Sequence, residues 1–404
     1  MSKPTIVTMP GDGIGKTVLA QAKRVLGAVG FEARYVEAEI GWEAFAKGGE
    51  PLPQRTIDLL TEHGVGLLGP VTTRRRHEGL TALESQPSEG EASAAGPGYC
   101  YPTIELRQRL NLQVRVRPCR TFAGNPLNFI RRTSDESFEE PPIDVVVFRQ
   151  STEGLYSGVE WTNPPTAVRE ALETHEKMAA FAEVPSEELV IACRICAKQA
   201  CRYVCEKAFA HAKEHGYQSV TLCDMPLVIR QSAGMLEQAA RDVATDYPDI
   251  PLRLTDIDTQ MMWLTHNPED QGVIIAGSTF GDIVSDGFVG LVGGQGFTAA
   301  ANLGPDCAIF EPSHGPNPTL GSQEPSMANP IAMILAACLM LDHLGEGELA
   351  TRIRSAIAEV VEEGKVRTYD MLKLRGRPEE LSQGAVSCDE MTDAIIDRLW
   401  PGAA

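Results

Sequence analysis

The sequence predicts an α/β protein with two lobes, on three observations. Its 404 residues, 43% of them hydrophobic, can bury more core than one small domain needs. The chain opens with strand-like "TIVTM", the glycine turn "PGDGIG" and helix-patterned "KTVLAQAKRVLGAVG", closed by Gly30. Further short apolar runs, each flanked by turn residues, alternate with helical patterns.

The opening turn reads G-x-G-x-G rather than G-x-G-x-x-G, and no acid stands clearly about 20 positions later, so a Rossmann reading is weak. "VGLLGPV" (65–71) and "DVVVFRQ" (144–150) read as buried strands. Residues 84–98, "ESQPSEGEASAAGPG", read as a surface loop, and the charged stretch 130–144 as another. "LCDMPLVI" (222–229) reads as a buried strand running into a turn, yet past Asp224 it delivers a thioether, Met225, and a leucine, Leu227. From "NPIAMILAACLMLDHLG" to "MTDAIIDRLW" the chain reads as helix, and no internal repeat occurs.

A formal charge of -19 and a pI near 4.9 argue against nucleic acid or an anionic membrane as partner. The opening residues lack a basic segment followed by an apolar stretch, and no run of about 18 apolar residues occurs, so the cytoplasm is the expected compartment. Ten irregularly placed cysteines fit reduced thiols. Cys193, Cys196, Cys201 and Cys205, read as one helix, would fan over about half its circumference, so they read as small hydrophobes rather than a metal cluster.

Two acids carry the first chemical signal. Asp282 and Asp286 in "GDIVSD" stand four apart, and on a helix beginning near Gly281 both carboxylates share one face. Like charges so placed repel unless a cation lies between them, and hard oxygen ligands suit Mg²⁺ or Mn²⁺; the plain alternative is a helix start that favours acids. Asp258, in a helix-patterned "TDIDTQMMWLTHNP", is a candidate third ligand. Arginines supply the complement for a di- or tricarboxylate: Arg107, Arg115 and Arg117 in "LRQRLNLQVRVRP", and Arg149. Arg115 and Arg117 share a face if extended, although any single arginine is most often a surface charge. Tyr156, seven residues past Arg149, is a candidate general acid.

With "PGDGIG", "LRQRLNLQVRVRP", "FRQSTEGLYSGVE", "GDIVSD", "FEPSHG" (310–315) and "ANPIAMILAACLMLDHLG" in this order, nearly the whole chain resembles the metal-dependent β-decarboxylating dehydrogenases of isocitrate, 3-isopropylmalate, homoisocitrate and tartrate. The resemblance implies their two-lobed α/β fold, not a Rossmann fold: residues 1–112 with 294–404 form a cofactor-side lobe, and 113–293 a lobe for metal, substrate and dimer interface. It implies a homodimer with shared sites, Mg²⁺ or Mn²⁺, and NAD or NADP. Arg107, Arg117 and Arg149 would hold substrate carboxylates, with Tyr101 and Thr103 facing the substrate's side group. Asp282 and Asp286 would bind the metal with Asp258 donated across the dimer, and Tyr156 would protonate the enolate left by decarboxylation. His314, Gly315 and Asn329 would meet the cofactor.

Against that family pattern, Met225 stands where a catalytic lysine is expected and Leu227 where an asparagine is expected. "HGPNPTLGSQ" (314–323) also departs, with Thr319 replacing the acid that engages the adenosine ribose in NAD-linked members. Three readings follow. The chain oxidises and decarboxylates a malate-type 2-hydroxy acid, with Asp224 or a metal-bound water replacing the lysine; or it decarboxylates an oxo acid without net redox; or it is a noncatalytic regulatory subunit. A polar pocket suits many carboxylates, or a phosphonate.

Overall fold

The computed structural model describes residues 3–72 and 101–400. The loop expected at 84–98 lies outside the described residues. Fourteen strands are described, in chain order β1 (Thr5–Met9), β2 (Arg34–Glu37), β3 (Val65–Leu68), β4 (Val114–Arg120), β5 (Arg131–Arg132), β6 (Phe138–Glu139), β7 (Asp144–Gln150), β8 (Glu160–Thr162), β9 (Val190–Ala192), β10 (Val220–Asp224), β11 (Leu252–Asp256), β12 (Val273–Ala276), β13 (Ala299–Leu303) and β14 (Ala308–Pro312).

Ten of them make one mixed sheet in the order β11-β10-β12-β7-β4-β13-β14-β3-β1-β2. Five come from residues 5–68 and 299–312 and lie on one side; the five from 114–276 lie on the other. The two sets meet where β13 pairs antiparallel with β4. The strands toward each edge pair in parallel; β1, β3, β10 and β12 are buried by their apolar runs, whereas the edge strands β2 and β11 are partly exposed.

Helices cover both faces. Ile331–His343 is buried along nine of its thirteen residues and joins a core with Gly15–Ala28, Gly347–Glu363, Cys388–Arg398 and Lys198–His215. On the opposite face Val145, Val147, Cys119, Ile274 and Ala276 pack against Val284 and Phe288 of the helix Ser278–Leu291. No helix among the described residues is long and apolar enough to cross a membrane.

At the opening turn, Gly11 and Gly13 take positive φ of 69° and 55°, and a Cβ on Gly13 would sit 2.1 Å from the Pro316 carbonyl oxygen. The turn is thereby pressed against the segment after β14, to which Ile14 N–H donates at 2.8 Å. Asp12 is buried, and its carboxylate accepts from the backbone N–H groups of Trp42, Glu43 and Thr72, capping the helix Trp42–Gly48.

Three expectations need correction. Residues 130–144 hold a small hairpin, β5 with β6, tied down by Arg131, which pairs with Glu139 and Glu269. The four cysteines do not share a helix: Cys201 and Cys205 lie buried on Lys198–His215, whereas Cys193 and Cys196 precede it and are half-buried. The helix carrying Asp282 and Asp286 begins at Ser278, so these acids sit in its second and third turns rather than at its start.

Candidate active site

The site gathers where the two sets of strands meet. Arg115 on β4 lies directly opposite Arg149 on β7 and Asn302 on β13, so all three share one face of the sheet. Arg117, two residues further along β4, returns to that face. Arg107 arrives from the helix Pro102–Arg109, and all four arginines are buried.

Glu311 on β14 counters two of them. Its Oε1 lies 3.0 Å from Nη2 of both Arg107 and Arg115, and accepts from Asn302 Nδ2 at 3.0 Å. Burial would raise this carboxyl's pKa, but Arg115 and Arg107 outweigh it and hold the group down at about 2. Glu311, within "FEPSHG", is not among the candidate residues expected from the sequence. A lone acid in the apolar strand "AIFEP" was the available signal.

The helix Ser278–Leu291 meets the remaining arginines. Arg149 Nη1 pairs with Asp282 and Arg117 Nη1 with Asp286, while Arg117 Nη1 also donates to Ser285 Oγ at 3.0 Å. Gly281 makes this approach possible, because a Cβ there would lie 2.4 Å from Arg149 Cβ. Tyr156, in the single helical turn Leu155–Ser157, donates its hydroxyl to Asp282 Oδ2 at 2.6 Å, its ring 5.5 Å from the Arg149 guanidinium carbon.

The cluster is electropositive and unsaturated. Burial first, then the charges of Arg115, Arg107 and Arg117, push the Arg149 pKa well below the usual arginine value; Arg107 and Arg117 are lowered too, chiefly by burial. Nε of Arg115, Arg117 and Arg149 and Oγ1 of Thr103 are buried without a hydrogen-bond partner. Tyr101, at the start of the Arg107 helix, is 42% exposed.

Two predicted residues stand apart within one chain. Asp258 is exposed at the start of the helix Ile257–His266, and among the described residues no three acids, histidines or cysteines converge as a metal site. Asp224 ends β10 at 2% exposure, its Oδ2 accepting from Arg194 Nη2 at 2.7 Å and its Oδ1 from Met225 N–H at 2.8 Å. Arg194 itself went unread in the sequence. Met225 is half-buried and Leu227 is 76% exposed.

The segment after β14 carries His314, Gly315 and Asn329. His314 Nδ1 lies 3.1 Å from the Gly315 oxygen, while its Nε2 and the neighbouring Ser313 Oγ are buried without partners. Burial lowers the His314 pKa. Asn329 donates from Nδ2 to Asp370 at 3.0 Å and accepts from Ile331 N–H at 3.0 Å.

Buried arginines beside paired carboxylates on a mixed sheet define a class of α/β proteins built to hold small polyanions. The chain matches the family described as isocitrate/isopropylmalate dehydrogenase over residues 5–395, and it belongs to that family. The family includes metal- and NAD(P)-dependent dehydrogenases of small carboxylates. The chain is 32% identical to 3-isopropylmalate dehydrogenase of Archaeoglobus fulgidus, across 91% of this chain and 94% of that one. It is also 32% identical to Protein DlpA of Legionella pneumophila across 97% of this chain, spanning 58% of that protein's length. The crystal structure of isocitrate dehydrogenase from Methylococcus capsulatus superposes with a TM-score of 0.78 at 29% identity, covering 98% of this chain and 99% of that one.

Proposed function

We propose that this chain is a Mg²⁺- or Mn²⁺-dependent, NAD(P)-linked enzyme that oxidatively decarboxylates a malate-type 2-hydroxy acid. The observation that carries the reading is the charge of the cluster. Among the described residues, four buried guanidinium groups face three carboxylates, Glu311, Asp282 and Asp286, leaving an excess positive charge and unpartnered donors for a polycarboxylate.

Asp282 and Asp286 fit a hard cation as two oxygen donors one helical turn apart, and the partner subunit's Asp258 would complete the set. The cation supplies a Lewis acid for the electrons released with CO₂. Arg107, Arg117 and Arg149 grip the substrate carboxylates and fix which carbon faces Tyr156. The Tyr156 hydroxyl, already hydrogen-bonded to Asp282, hands its proton to the carbon that loses CO₂. His314, Gly315 and Asn329 would border the cofactor, which would take the hydride while the hydroxyl proton leaves to water at the cation site; the orphaned His314 Nε2 and Ser313 Oγ fit a polar ligand on the cofactor side.

A homodimer with shared sites is supported by surfaces that one chain leaves bare. Of residues 155–199 only Pro164 is buried, so the arm containing β8 and β9 barely packs on its own chain. Met262, Trp263 and Ile283 are exposed on the two helices that carry Asp258, Asp282 and Asp286. The proposed lobes, 1–112 with 294–404 and 113–293, follow the division of strands between the two sides of the sheet.

One observation favours a second reading, decarboxylation of an oxo acid without redox: the turn after β10 holds no free proton carrier, since Asp224 is engaged and Met225 and Leu227 have none. Met225→Lys with Leu227→Asn separates the two. On the oxidative reading the double variant leaves nicotinamide reduction equal or lower. A rise toward the 10²- to 10⁴-fold scale of a restored acid–base group would favour the non-redox reading.

A further inference from the structure

We propose that Arg194 and Asp224 form a bolt at the root of the arm, and that this bolt positions Tyr156 against Asp282. The proposal rests on the reading of Tyr156 as the proton donor. It also reassigns Asp224 from base to positioning residue.

Both Asp224 oxygens accept hydrogen bonds, Oδ2 from Arg194 and Oδ1 from Met225 N–H, so the carboxylate is fixed to the arm root and to its own strand end. Its partner Arg194 lies two residues beyond β9, where the arm rejoins the body. The Arg194 guanidinium is 5.6 Å from the Phe280 ring centre and lies beside Gly277, where a Cβ would stand 3.3 Å from Arg194 Nη2 and 3.6 Å from Asp224 Oδ2. Gly277 immediately precedes the helix that presents Asp282. One guanidinium thus touches the arm root, the end of β10 and the start of the aspartate helix.

The other root of the arm carries Tyr156, and the two roots are tied together. Gly154 and Ile195 exchange backbone hydrogen bonds of 2.6 and 3.3 Å, and the Glu153 carboxylate accepts from Ala197 N–H at 2.7 Å. Tyr156 follows Gly154 by two residues. A cavity of about 20 Å³ at the joint, lined by Gln150, Glu153, Arg194 and Ser278, has room for about one water. Beyond the joint the arm has almost no buried residue to fix it on its own chain, so displacement of Arg194 shifts the Gly154 side as well. Gln108, which donates to the Tyr156 carbonyl at 3.0 Å, holds the backbone there but not the hydroxyl.

The test follows the tyrosine directly. The full chain is labelled with 3-fluorotyrosine, and the Tyr156 fluorine resonance is assigned by its loss in Tyr156→Phe. In Arg194→Met the resonance is expected to move toward that of free fluorotyrosine and broaden, and in Arg194→Lys to return part of the way. An unmoved resonance in folded Arg194→Met overturns the proposal. Should that variant not fold, Asp224→Asn is read by the same two outcomes. The signal needs no turnover: a moved resonance in a chain without activity supports the bolt while removing the assigned role of Tyr156. With activity present, Arg194→Met is expected to lower kcat about tenfold or more with KM little changed; a change in KM alone counts against the proposal.

Discussion

Arg115 and Arg149 lie directly opposite one another on adjacent antiparallel strands, two buried cations in register. Like charges so placed oppose each other, and here each is countered separately, Arg115 by Glu311 and Arg149 by Asp282. The electrostatic frame of the site therefore depends on a few acids drawn from distant parts of the chain.

Glu311→Gln is expected to destabilise the fold by about 3–5 kcal/mol, because it leaves Arg107 and Arg115 buried without their counter-charge. Urea unfolding measures it. Adding Arg115→Met should recover part of the loss, since it removes one uncompensated cation. A change within about 0.5 kcal/mol for Glu311→Gln would mean that solvent already screens the pair.

Asp282→Asn and Asp286→Asn should each weaken Mg²⁺ or Mn²⁺ binding roughly tenfold or more, the scale of a lost charged contact worth about 1.5–3 kcal/mol. Titration calorimetry reads this directly. Unchanged affinity in both variants would leave these acids as partners of Arg149 and Arg117 only.

Much of this frame was legible in the sequence because it rests on local periodicity. The two-residue spacing of Arg115 and Arg117 and the four-residue spacing of Asp282 and Asp286 each require only a strand or a helix to share a face. What escaped depends on long-range pairing. Glu311 reaches Arg107 across 204 positions, and Arg194 finds Asp224 because the arm folds back to the end of β10. No local pattern encodes either meeting. Only the single-helix placement of the four cysteines failed, for a local reason: the helix starts at Lys198, after β9 and the turn holding Cys193 and Cys196.

The proposed sharing of the site between subunits predicts complementation. Asp258→Ala and Asp286→Ala subunits, each inactive alone, should regain some activity when mixed, because one of the two sites in the heterodimer then receives every ligand. Verified heterodimers with no activity would place Asp258 outside the site.

His211 should make the fold sensitive to mild acid. Burial first, then His215 stacked at 4.0 Å and the charge of Arg120, push its pKa from 6.5 down to about 4, against the weaker pull of Asp144; Phe148 and Tyr217 are its other ring neighbours. The unfolded chain therefore binds the proton first, and stability present above about pH 6.5 is lost as the pH falls toward 4. Thermal unfolding of His211→Gln across that range should show a shallower fall than the parent chain. Identical slopes would contradict the assignment.

The most direct measurement of the proposed chemistry follows nicotinamide absorbance and released CO₂ separately while the purified chain, Mg²⁺ and each cofactor are incubated with malate-type 2-hydroxy acids. One such acid is expected to yield reduced nicotinamide and CO₂ in equal amounts, both abolished by Asp286→Asn. Release of CO₂ from an oxo acid with no hydroxy acid ever reducing NAD or NADP would contradict the oxidative reading.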